Sequence, residues 1–123
     1  MYSNPAILSL CEADERATPE RCQILQAIGL PEESRFSIAR ARVKPGETTV
    51  WHLLEGLTEI YLIFSGQGIV EIGELPPEKI QPGQVVIIPP GTRQRIKALG
   101  KNDLVFFCIC SPSFEPSCYR SLE

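Results

Sequence analysis

The sequence predicts an all-β fold in a single domain, and three observations carry that prediction. Eight or nine short segments are either alternating or continuously apolar, bounded by turn residues, as strands are. No segment makes a convincing long helix. The 11 prolines and 9 glycines fall mostly between the apolar segments, where a sandwich or barrel tolerates them.

In chain order, residues 1–20 read as an irregular arm with turn signals at Asn4-Pro5 and Thr18-Pro19, and at most a short helix over Leu10–Arg16. Ile7, Leu8 and Leu10 are apolar, so the arm is expected to lie across the domain or against a partner subunit. Cys22–Ile28 reads as a strand ended by Gly29 and Pro31. Arg35–Val43 alternates, with Phe36, Ile38, Arg40 and Arg42 on one face and Ser37, Ala39, Ala41 and Val43 on the other. Thr48–Leu54 is a β-branched run. Thr58–Ser65, Gln84–Ile88 and Leu104–Cys110 are apolar on both faces, as strands covered on both sides would be. Ile69–Ile72 and Arg93–Ala98 complete the set. The domain spans residues 1–123, with a core over about 35–112 and a tail over 113–123.

Length and composition bound the function. A chain of 123 residues is one domain by size and can bury roughly two thirds of its unfolded surface. Its formal charge of −3 and lack of long like-charged blocks argue against a nucleic-acid module. No apolar run is long enough to span a membrane, and the N-terminus has no basic region before its short apolar stretch, so the expected location is the cytoplasm. The five cysteines include no Cys-x-x-Cys pair, which excludes the common structural zinc pattern and leaves reduced core thiols as the ordinary reading. Cys108 and Cys110 are i, i+2 neighbours on one strand face, too far apart for a disulfide.

Chemistry-bearing residues concentrate in Thr48–Gly68, which holds the only histidine, His52, and the only tryptophan, Trp51. Glu59 and Tyr61 share a face of the following strand. Gly83–Ile96 looks like a counterpart, with Gln94 and Ile96 on one face and Arg93, Arg95 and Lys97 on the other. That basic edge, like the pair Arg40 and Arg42, is a solvated or interface face with partners such as Glu71 or Glu78, or else an anion site. Trp51 is expected under the N-terminal arm or at a dimer contact.

The two stretches resemble the cupin superfamily of small jelly-roll barrels. Pro45-Gly46 opens the first motif, His52 takes its first histidine position, Glu59 its glutamate and Gly66 its glycine. Gly83, Pro89 and Gly91 match the second. Leu54 and Gln94 stand where two further histidines would be. The pattern Trp-His, Glu, Ile-Pro-Pro-Gly-x-x-Gln-Arg-Ile is also similar to a subgroup of small bacterial conserved-barrel cupins.

The resemblance implies a double-stranded β-helix in which His52, Glu59 and Gln94 converge inside the barrel. Three uses of that set stay open. It could hold a divalent transition ion such as Zn, Mn, Fe or Ni, with waters completing the shell, for a metal-assisted isomerase or dioxygenase. It could be a buried polar trio, Glu59 hydrogen-bonded to His52 and Gln94 satisfying the rest, in a binding or sensing barrel. It could be a metal-free acid–base site of a sugar isomerase or epimerase, with Glu59 orienting His52 and raising its pKa and Tyr61 as acid. Cys108, turned inward by the comparison, is either a packed core thiol or a soft further ligand or oxidation-prone group. The expected partners are a small molecule in the barrel and a second copy of the chain.

Overall fold

The computed structural model describes residues 1–123. Eleven strands form two sheets: β1 (Arg16–Ala17), β2 (Gln23–Ile28), β3 (Ser37–Val43), β4 (His52–Leu54), β5 (Thr58–Ser65), β6 (Gln67–Ile72), β7 (Glu78–Ile80), β8 (Val85–Ile88), β9 (Gln94–Leu99), β10 (Leu104–Ser111) and β11 (Tyr119–Ser121). One sheet runs β1-β2-β3-β10-β5-β8 and the other β11-β4-β9-β6-β7, with every pairing antiparallel. This is the expected all-β jelly roll. The only helical pieces are single 3-10 turns at Glu12–Asp14 and Pro116–Cys118, the first inside the stretch given at most a short helix.

The sheets close on each other because their inward faces alternate with the pleat. Ala41, Val43, Tyr61, Ile63, Val86, Ile88, Leu104 and Phe106 from the larger sheet meet Val70, Ile80, Ile96 and Ala98 from the smaller in one buried cluster. On β3 the predicted faces hold: Ser37, Ala41 and Val43 are buried, while Ile38, Arg40 and Arg42 are half-covered on the outside. Arg40 is bound by Glu12 and Glu15, and Arg42 by Glu15 and Asp103, so residues 12–15 are pinned to the outer face of β3.

One expectation is corrected and two are narrowed. Two of the three strands read as covered on both faces are bare on one: Leu62, Phe64, Val85 and Ile87 are 40–64% exposed on the outer face of β5 and β8, where this chain supplies no second layer. Of the arm's two expected placements, across the domain or against a partner subunit, residues 12–15 take the first, while Ile7 is 99% exposed in the single chain. Trp51, expected under the arm or at a dimer contact, carries on its ring the guanidinium groups of Arg95 at 4.3 Å and Arg93 at 5.0 Å, since an electron-rich face attracts cations. Arg95 pairs with Glu71 at 2.8 Å and Arg93 lies 3.9 Å from Glu74, so the basic edge is half neutralised by the neighbouring strand and turn.

Candidate functional site

A cavity of about 120 Å³ opens between the sheets. Its walls follow from strand register. His52 on β4 lies directly opposite Gln94 on β9, and residues that face each other across a ladder point to the same side. From the other sheet, β5 turns Glu59 and Tyr61 inward, and β10 turns Phe106, Cys108 and Cys110 inward beside them. Small side chains at Ala39 and Ala41 on β3 leave the space unfilled. His52, Glu59 and Gln94 are 5%, 7% and 1% exposed, so the three residues selected by motif and face do meet inside the barrel.

The hydrogen bonds fix which atom does what. His52 Nδ1 lies 2.6 Å from the Val50 carbonyl; a carbonyl only accepts, so Nδ1 carries the proton and Nε2 is left as an acceptor. The ring stacks on Tyr119 with centroids 5.0 Å apart. Burial pushes the imidazole pKa down, against an opposing pull from the Val50 bond, so the ring is neutral at pH 7. Burial lifts the Glu59 carboxyl to about 7, with the negative charge of Glu20 adding to the rise and Gln94, Cys110 and Tyr61 working against it. Cys110 Sγ donates to Glu59 Oε2 at 3.6 Å. Tyr61 OH donates to Gln94 Oε1, and its own pKa is held well above the usual phenol range by burial. Glu59 Oε1 and Gln94 Nε2 are buried without a well-formed hydrogen bond.

One expected contact is absent. Glu59 does not hydrogen-bond His52, because the Val50 carbonyl has taken Nδ1 and Nε2 faces elsewhere. Glu59 therefore neither orients His52 nor raises its pKa, which burial lowers instead. Cys108 does face the cavity, but burial and the Glu59 charge push its thiol well up, so it is a protonated, poorly nucleophilic wall group.

Sequence reading missed Glu20. It sits in the arm just before β2, with its backbone carbonyl accepting from Val50 N–H at 3.2 Å. Its Oε1 lies 3.9 Å from His52 Nε2, and burial raises its pKa. Arg16 and Thr18 reach the same cavity. Nothing in the arm's periodicity marks these residues, because an irregular segment has no face for a pattern to reveal.

The donor set does not suit a transition ion. Catalytic metal sites use about three protein ligands, whereas no group of three His, Cys, Asp or Glu side chains lies close enough to hold one here. Gln94 Oε1 is engaged by Tyr61, Leu54 brings no donor, and Glu59 holds its proton up to about pH 7. Of the expected set, His52 Nε2 and Glu59 Oε1 remain, two donors where about three are needed.

Comparison with known proteins bears on the family. The Cupin domain family matches residues 39–110, more than half of the chain and both motifs. The chain belongs to the cupins. An uncharacterized protein of Methanocaldococcus jannaschii is 31% identical over 87 residues, covering 71% of this chain and 69% of that protein. Among solved structures, a conserved double-stranded beta-helix protein of Klebsiella pneumoniae superposes with a TM-score of 0.77 at 14% identity, covering 98% of this chain and 99% of the other. The nucleoside dehydratase Pac13 of Streptomyces gives 0.77 at 13% identity over 96% and 92%. KdgF from Halomonas gives 0.73 at 19% identity over 85% and 94%. At these identities the structures share the cupin fold with this chain, and the side chains inside their barrels are another matter. In this cupin, no helix is long and apolar enough to cross a membrane.

Proposed function

We propose that this cupin binds a small organic molecule in the barrel and moves a proton on it, with His52 Nε2 as acceptor and Glu59 as donor. One observation carries the reading. A neutral imidazole with its tautomer fixed by Val50 and a carboxyl lifted to about pH 7 line the same cavity. Burial lowers the imidazole pKa and raises the carboxyl pKa, so near neutral pH the first stands unprotonated as an acceptor while the second still carries a proton to give. Tyr61, donating to Gln94, is a neutral dipole beside Glu59 that holds the amide in place rather than the acid itself. No step is assigned to a metal ion, because the donors present do not make a three-ligand set.

The test uses a cellular metabolite pool in D2O. Wild type is expected to consume a compound, or to place deuterium on carbon in one, while His52→Gln and Glu59→Gln each lose that activity by at least about a hundredfold. Protein purified without chelators should carry well under one equivalent of any divalent transition metal. Equal behaviour of wild type and both variants, or a stoichiometric metal, would overturn the proposal. If the pool binds without turnover, the second reading applies: a binding or sensing barrel using the same cavity.

We further propose that two copies pair through the outer face of β5, β8 and β10, in the cytoplasm. Leu62, Phe64, Val85 and Ile87 are exposed side by side there, and Phe64 stacks on Phe107 at 5.8 Å. A contiguous, uncharged apolar face of this kind is the sort that association covers. The five free thiols accord with a reducing compartment.

A further inference from the structure

Building on the reading of the cavity as a ligand site, we infer that its ligand carries an ammonium group, held at the mouth between Glu20 of the arm and His52 of β4. The argument starts from one residue. Val50 donates its N–H to the Glu20 carbonyl at 3.2 Å and accepts the His52 Nδ1 proton at 2.6 Å. The same peptide segment thus places the Glu20 side chain and turns the unprotonated Nε2 of His52 toward it. The two acceptors, Glu20 Oε1 and His52 Nε2, face each other at 3.9 Å. That is too long for a hydrogen bond between them.

Two acceptors facing across such a gap are bridged by a group bearing at least two protons on one atom, as water or an ammonium group does. A hydroxyl has one proton and serves one of them. A tetrahedral nitrogen making two charge-assisted bonds of about 2.8 Å holds its acceptors roughly 4.5 Å apart, so a shift of about half an ångström admits it. A second, independent feature lies in the same cavity. Glu59, 7% exposed and lining it, has an Oε1 with no partner, a further unpaired carboxyl oxygen at the wall.

Charge favours the same ligand class. Glu20 and Glu59 line the cavity, and the only cationic side chain doing so, Arg16, sits on the exposed rim. Tyr61, Phe106 and Phe114 contribute ring surface to the wall, which attracts a desolvated cation as well. A carboxylate would meet two acidic side chains inside and no buried cation. An amine of modest size therefore fits where an acid or an alcohol does not.

The experiment exploits the single histidine, whose imidazole Hε1 gives one resolved resonance. Butylammonium, 1-butanol and butyrate, matched in size and differing in head group, are titrated into wild type near neutral pH in about 0.15 M salt. Butylammonium is expected to move the resonance saturably, with the alcohol and the acid at least about tenfold weaker. Glu20→Gln, a substitution at a partly exposed side chain that keeps its shape, is expected to weaken butylammonium binding roughly tenfold, the loss that follows from removing one charge-assisted bond. If butanol or butyrate binds as well as butylammonium, or if Glu20→Gln binds it like wild type, the ammonium inference is overturned while the cavity stands as a ligand site. If none of the three moves the resonance, the gap holds water only, and the ligand-site reading falls with the inference.

Discussion

At the scale of single residues, Glu59 makes stability depend on pH. Its carboxyl titrates near the ordinary 4.5 in the unfolded chain and at about 7 in the folded one. Below the lower value both states hold the proton. Between the two, only the folded state holds it, so stability falls as pH rises. Above about 7 the folded protein must carry a buried charge, and the loss is complete, roughly 3 kcal/mol for a shift of this size. Glu59→Gln cannot ionise, so its urea midpoint should exceed that of wild type at about pH 8 and converge with it toward about pH 5; parallel curves at both values would sink the claim. The position of Glu59 was legible in the sequence because strand period puts it on one face with Tyr61, and the motif puts His52 and Gln94 opposite. Its chemistry was not. The partner of His52 is a backbone carbonyl two residues away, and a backbone acceptor leaves no residue type to read.

Among the elements, the long strands were read to within a residue or two because their apolar runs and bounding glycines are strong signals. Thr58–Ser65 appears as predicted. Thr48–Leu54 shrank to His52–Leu54, since Thr48 makes only an isolated bridge to Lys97 and Thr49 uses its hydroxyl to accept from Ile96 N–H. Strands β1, β7 and β11 went unread; two or three residues at a sheet edge carry too little pattern. The break after β5 is enforced by Gly66, whose φ of +83° disfavours any side chain and whose added Cβ would lie 2.3 Å from the Asp103 carbonyl oxygen. Gly66→Ala should therefore destabilise the fold by on the order of 2–3 kcal/mol, measured by urea unfolding. A change within about 0.5 kcal/mol would mean that the β5–β6 turn and the β9–β10 loop can separate at little cost.

For the whole molecule, the fold and the meeting of His52, Glu59 and Gln94 were written in two spaced motifs. That some strands apolar on both faces need covering beyond one small barrel was legible too, but not which of them is left bare, because an apolar strand reads the same whether its own chain or another covers it. Phe64→Glu and Ile87→Asp place charges at positions 56% and 64% exposed, so neither should unfold the monomer. Both are expected to convert a dimer to a monomer in sedimentation or light scattering. A wild type that is monomeric at about 0.1 mM, or a dimer that survives both substitutions, would dismiss that face as the interface. The cavity and this face lie on opposite sides of one sheet, so loss of pairing should leave the cavity's side chains in place.

The ring that carries the guanidinium groups of Arg93 and Arg95 belongs to the chain's only tryptophan, and its neighbour in sequence is His52. The chain entering β4 thus carries an intrinsic fluorophore at the residue just before the strand and the cavity imidazole at its first position. Light absorbed near 280 nm reaches a reporter one peptide bond from the site, without any label. Displacing β4 changes the overlap of the indole with two guanidinium groups and shifts its emission. The same optical signal follows unfolding and ligand entry, and the two separate by reversibility on dilution of the ligand.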